Sequence, residues 1–437
     1  MKQVNHFSGL AGLIRTLFAA LFLLAAASAV HADTIAITGG TVHTMGERGV
    51  LENATVLIRD GSIAEVGTNV SIPGDAIRVD ANGKIVTPGI IDAHGQMGIS
   101  EVSGVEQSVD AGTSDRRFTA AFDVTDAINP NSMVIPVNRI EGITRAVVAP
   151  TNSGRLIAGR GAIIDLAHPT DFITRSPAAM YASLGESGAS MSGGSRAAAL
   201  LHLREAFQDA QDFADNQSAF ERRERRDYAL GRLDLMALQP VMSGDLPLVL
   251  TVHRASDIRA ALRLADDYGL QLVIYGGAEA WMVAEALADA DVPVILDPLQ
   301  NLPGRFEALG STLENAARLN AAGVEITFSS GGSHNARNIT QGAGNAVAHG
   351  LPWEVALDAI TAAPARIWGI DDRVGRLDPG LDADVVVWDG DPLEVTSFAD
   401  HVFIRGIAVP MQSRHTQLRD RYMNLQELTM PPAFRGN

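Results

Sequence analysis

Between positions 86 and 329 the chain repeats one pattern that narrows the folds open to it: a short apolar run, a polar or helical stretch, then another apolar run. The runs fall at 86–98, 144–149, 162–166, 179–184, 248–253, 272–275, 293–296 and 325–329, which makes eight. Each carries a short, mostly apolar strand-type run, the texture of strands buried on two sides. Helical periodicity separates the later ones, with Ile258, Ala261, Leu262, Ala265 and Tyr268 on one face, and Trp281, Ala284, Leu287 and Ala288 on another. The run Ser311-Thr312-Leu313-Glu314 reads as a capping box opening the next helix. Eight such units predict a closed parallel (β/α)8 barrel rather than an open sheet.

The flanks have a different texture. Apolar runs at 34–38, 54–59 and 62–66 are broken by Gly39-Gly40 and Asp60-Gly61, and the Asp60-Gly61 step reads as a two-residue hairpin turn. Similar runs return at 383–388 and 402–406. Neither flank buries a core alone, so the two ends are expected to build one composite β-sandwich, with two separate small caps as the alternative. The α/β fold class is therefore a TIM-like (β/α)8 barrel at 86–371 on a sandwich of 33–85 and 372–411. A helix and tail follow at 412–437. A helical insertion at 193–238 carries the charge run Glu221 to Arg226 at its middle, read as a solvated helix face.

Residues 1–32 read as a cleaved export signal. Lys2 and Arg15 precede an apolar run at 17–30, and Val30-His31-Ala32 and Ala27-Ser28-Ala29 both suit a signal peptidase. The run is short of the roughly 20 residues a membrane span needs. A periplasmic or extracellular protein, off the membrane once cleaved, is expected. With no cysteine there are no disulfides, thiolate ligands or cysteine nucleophiles. A net charge of −17 argues against nucleic acid and anionic membranes as partners and leaves a small molecule, with a homo-oligomer open. The only lysines are Lys2 and Lys84, so lysine-based mechanisms have almost no residue to use.

In a parallel barrel the chemistry belongs at the carboxyl ends of the strands. Those ends offer His94 and Gln96 in 86–98, Glu186 after the fourth run, His253 after the fifth, and Ser329 to His334 after the eighth. Two histidines and a carboxylate converging from three strands suit one divalent ion such as zinc. Each also has a plainer reading: His253 as a hydrogen-bonded structural residue, Glu186 as a surface carboxylate, His334 as a loop residue. Arg254 and Asp257 suit a local salt bridge. The glycine-rich Ser329–Gly332 turn also reads as an anion-binding loop.

Val86-Thr87-Pro88-Gly89-Ile90-Ile91-Asp92-Ala93-His94, His253-Arg254-Ala255-Ser256-Asp257-Ile258, Thr361-Ala362-Ala363-Pro364-Ala365-Arg366 and the run from Val374 to Val385 resemble the metal-dependent amidohydrolases, nearest the imidazolonepropionase-like branch. The resemblance implies a barrel on a composite β-sandwich and a metal-dependent hydrolase of C–N bonds. It implies metal ligands at His94, Glu186 and His253, with His334 as an assisting catalytic residue. Gln96, Arg254, Tyr275, Ser329 and Ser330 would line the substrate pocket. Three positions depart from the family pattern. Gln96 replaces the second histidine of the first strand, Gly276 the sixth-strand histidine, and Gly331 the eighth-strand aspartate that serves as general base. Two functions follow: a hydrolase of small cyclic amides or peptide-like compounds with an altered or single-metal site, or a binding or scaffold protein that has lost its metal.

Overall fold

The computed structural model describes residues 34–115, 117–167 and 170–423. The segment read as an export signal and the end of the tail lie outside these residues. Among them, no helix is long and apolar enough to cross a membrane.

Two eight-stranded sheets organise the chain. The first joins the chain ends: β1 (Ile35–His43), β2 (Val50–Arg59), β3 (Ser62–Gly67), β4 (Ile77–Asp80) and β5 (Ile85–Pro88) with β14 (Val385–Trp388), β15 (Ala399–Ile404) and β16 (Ile407–Ala408). Its order is β16-β15-β14-β5-β1-β2-β3, with β4 on β1. β2 and β3 turn at Asp60-Gly61, both at positive φ, with Arg59 facing Ser62. That is the mirror-image turn a two-residue hairpin requires. Ile37, Val56, Val86, Leu377, Val385 and Phe403 share one core, so the two ends need each other to bury their apolar faces.

The second sheet is the barrel: β6 (Ile90–Gly95), β7 (Ile143–Val148), β8 (Ile157–Asp165), β9 (Ile173–Ser183), β10 (Leu248–Val252), β11 (Leu272–Gly276), β12 (Val294–Leu296) and β13 (Ile326–Phe328). All eight expected strands are present, in chain order. The expected all-parallel pairing is not: β8 runs antiparallel to β7 and β9. Only a short connector joins β8 to β9, too little chain for a parallel crossover. The ladder ends at β13 and β6, and residues 359–360 bridge that gap: the Phe328 amide donates to the Ala359 carbonyl (3.1 Å) and the Ile91 amide to that of Ile360 (2.9 Å).

Three local expectations change. The run starting at Val86 divides at Gly89, whose missing side chain leaves room for Thr144, so its first half pairs in the end sheet and its second opens the barrel. The charge run does not lie mid-helix. The helix Arg196–Glu221 stops where it begins, and Arg225 and Arg226 fold back onto Asp212 and Asp209. Ser311 caps nothing; its hydroxyl donates to Ala308, and the helix starts at Asn315.

Barrel floor and end sheet are sewn together by buried charge. Arg145 on β7 is 2% exposed, with Nε 2.8 Å from Asp384 and Nη2 2.8 Å from Asp382. Arg405 ties the same sheet to Asp165 on β8 at 3.3 Å.

Candidate active site

The end of β6 carries Asp92 and His94 into the barrel, where His94 stacks on Tyr275 of β11, ring centroids 3.7 Å apart, and lies 5.5 Å from Tyr181 of β9. The Ser329 hydroxyl, following β13, donates to the His94 carbonyl. Burial holds His94 far below the usual imidazole range, at about 3, so the ring is neutral, and its Nδ1 has no partner. Gln96 begins the turn beyond β6, its carbonyl accepting from Ile99 and Ser100.

Asp92 is fully buried and neither carboxyl oxygen has a hydrogen-bond partner. Burial pushes its pKa up to about 7, offset only in part by the nearby His94 amide and Ser329 hydroxyl. A folded-state pKa above the unfolded value means that protonated Asp92 favours folding. The contribution is complete below about pH 4 and lost as pH rises through 7. Unfolding free energy should therefore fall across that window by on the order of a few kcal/mol. Urea titrations of the wild type and Asp92→Asn should show the slope flattened in the variant.

His253 follows β10, 9% exposed, its Nδ1 unpartnered. Burial lowers its pKa, opposed by Glu307 and Glu186 and reinforced by Arg305, so it too is neutral near pH 7. Its ring occupies the space a side chain at Gly276 would need: a Cβ there would stand 2.5 Å from His253 Cε1, and Gly276 has φ +98°. At Gly331, with φ +65°, a Cβ would lie 2.9 Å from the Tyr275 hydroxyl. These two glycines are conformational and steric requirements of this site. Gly276→Ala should cost roughly 2 kcal/mol from backbone strain and displacement of His253. A lowered melting temperature together with a shifted His253 resonance would register it; an unchanged His253 would refute the packing account.

Glu186 opens the helix Gly185–Met191 and is locked to Glu307. The Glu186 amide donates to Glu307 Oε2 (2.6 Å), and the Glu307 amide donates to Glu186 Oε1 (3.1 Å). Arg196 lies 3.7 Å from Glu186 and 2.9 Å from Asp257, which Arg254 also meets at 3.0 Å. The local Arg254–Asp257 salt bridge is thus present. His334 stands in the loop after β13, near Asn335, Arg337 and His415.

The structure therefore gathers His94 with Tyr275 and Ser329, and sets His253 beside Gly276. Glu186 belongs to an arginine–carboxylate network and His334 to the outer loop. Among the described residues, no group of three or more histidine, aspartate or glutamate side chains is close enough to hold a metal. A zinc-type site needs three or four protein donors, and the donor set here does not supply them.

An open cavity of about 470 Å³ sits at the ends of β10 to β12, lined by Thr251, His253, Tyr275, Asp297, Leu302 and Arg305 among others. Asp297 directly follows β12; its Oδ1 accepts from the Leu299 amide at 3.0 Å, and burial raises its carboxyl above the ordinary range. Reading the strand ends in sequence passed over Asp297, although its place after the 293–296 run marks it by the same rule. Arg305 precedes and Glu307 lies within the single helical turn Phe306–Ala308, too short to show periodicity, and only their contacts reveal them.

The amidohydrolase family model matches residues 272–411. An amidohydrolase from Thermotoga maritima MSB8 superposes with a TM-score of 0.78 at 28% identity, over 86% of this chain and 100% of that one. Amidohydrolase TasK of Hapsidospora irregularis is 26% identical over 391 residues, covering 81% of this chain and 39% of that relative. A dihydroorotase of Geobacter sulfurreducens is 34% identical over 121 residues, covering 28% of this chain and 27% of that relative. The chain thus spans well under half the length of these two relatives. The fold, the family model over residues 272–411 and the Thermotoga structure agree in making this chain similar to the amidohydrolases.

Proposed function

We propose that this chain hydrolyses a C–N bond of a small amide or peptide-like compound in the cavity at the ends of β10 to β12, using protein groups in an altered site. The observation that carries this reading is the convergence of His253, Tyr275, Asp297 and Arg305 on one cavity at the carboxyl ends of the strands. Asp297, its carboxyl raised above the ordinary range by burial, is suited to take a proton from water. The Tyr275 phenol, pushed up to about 12 by burial first, stays protonated and can donate to a carbonyl oxygen gaining charge. Arg305 supplies positive charge at the rim, and Leu299 and Leu302 offer an apolar flank.

A second reading, a binding protein without chemistry, is favoured by the His94 ring being spent on Tyr275 and by the lack of a three-donor metal group among the described residues. One experiment separates them. Protein purified without chelators is analysed for metal and assayed on N-acyl amino acids and cyclic dipeptides. Hydrolysis that survives a chelator supports the proposed reading. Stoichiometric metal required for turnover refutes its use of protein groups alone, and no turnover with retained ligand binding favours the second reading. Export belongs to the same proposal and rests on residues 1–32; cell fractionation tests it.

A further inference from the structure

Away from the cavity, basic residues of two segments meet, with His334 against both Arg337 and His415. His334 and Arg337 stand on the loop after β13, and Arg414 and His415 open the helix Arg414–Met423. His334 Nε2 lies 3.5 Å from His415 Nε2 and 3.5 Å from Arg337 Nη1, too long for good hydrogen bonds and convergent on one point. None of the four makes a salt bridge to a carboxylate among the described residues, whereas sixteen other arginines do.

The cluster is rigidly built. Asn138 holds the loop through its side chain, donating to the Ser333 carbonyl at 2.9 Å and accepting from the Arg337 amide at 2.8 Å. Ser413 holds the helix start, its hydroxyl accepting from the Thr416 amide at 3.3 Å. Glu141 feels the attraction of Arg337, and burial keeps its carboxyl above the ordinary range in spite of it. The His415 ring is held below its ordinary range by burial first, then by His334, Arg337 and Arg414. No acidic residue lies in the first turn of the helix, where two basic side chains are already unfavourable. In a chain of net charge −17, two arginines beside two imidazoles with no salt-bridged carboxylate offer charge and N–H donors to an anion.

We propose that His334, Arg337, Arg414 and His415 form a binding site for a small oxyanion, a carboxylate or a phosphate, separate from the cavity at the ends of β10 to β12. Arg337 and Arg414 supply charge and forked N–H donors, and the two imidazoles supply Nε2–H donors between them.

The test is a titration of histidine-labelled full-length protein with inorganic phosphate and, separately, acetate, followed by the imidazole nitrogen resonances. Saturable shifts of His334 and His415 are expected, with a rise in the His415 pKa. The double variant Arg337→Gln/Arg414→Gln should bind at least about tenfold more weakly. Both positions are at least partly exposed, and an unchanged melting temperature would show that the variant still folds. A stronger response to phosphate assigns the site to a phosphate and a stronger response to acetate to a carboxylate. Absence of saturation with both anions, or equal affinity in the double variant, overturns the proposal.

Discussion

Asp297→Asn should lower kcat by about 10²–10⁴ while leaving the fold intact. The substitution is isosteric, and an amide oxygen can still accept from the Leu299 amide that holds the native carboxylate at 3.0 Å. What it removes is a base. Burial raises the Asp297 carboxyl, which brings its affinity for a proton closer to that of the water it must deprotonate. The loss should appear in kcat more than in KM, since Asp297 would act on water rather than hold the substrate. The acid limb of the wild-type pH–rate profile should lie above the ordinary carboxylate range and disappear in the variant. Unchanged turnover in Asp297→Asn, with a folded protein, would remove Asp297 from the mechanism.

Arg145→Met should destabilise the protein by about 3–5 kcal/mol, the range for removing one partner of a buried ion pair. Asp384, with its side chain 4% exposed, would keep only the Arg405 amide at 2.9 Å, and Asp382 would keep the more exposed Arg373. Most of the loss comes from stranding a buried carboxylate, so adding Asp384→Asn to Arg145→Met should recover part of it. Urea midpoints of the single and double variants test both statements. A single-variant loss under about 1 kcal/mol would show that water reaches these carboxylates. The pair also explains a feature of the sequence: Asp382 and Asp384 belong to the run from Val374 to Val385 that carries the family resemblance, and their physical task here is to bind the barrel floor to the end sheet.

Strand content was legible because the period of apolar residues and the turn dipeptides are local. The eight barrel runs, the Asp60-Gly61 hairpin and the pairing of the two chain ends all follow from burial that no single segment can achieve alone. Strand direction was less legible. β8 looks like its neighbours in composition, and only the short connector to β9 betrays that it must turn back. At the site, the strand-end rule located His94 and His253 but said nothing of where their rings go.

Residue types and order thus determined the barrel, the composite end sheet and the lack of cysteine. Only the tertiary structure decided how the mouth of the barrel is filled. His253 takes the volume beside Gly276, the Tyr275 hydroxyl approaches Gly331, and Asp297 and Arg305 face the cavity from a strand end and a loop. The physical reason is one of range. Apolar periodicity is set by neighbours along the chain, whereas the space and electrostatic field around a side chain are set by residues far away in sequence and close in the fold.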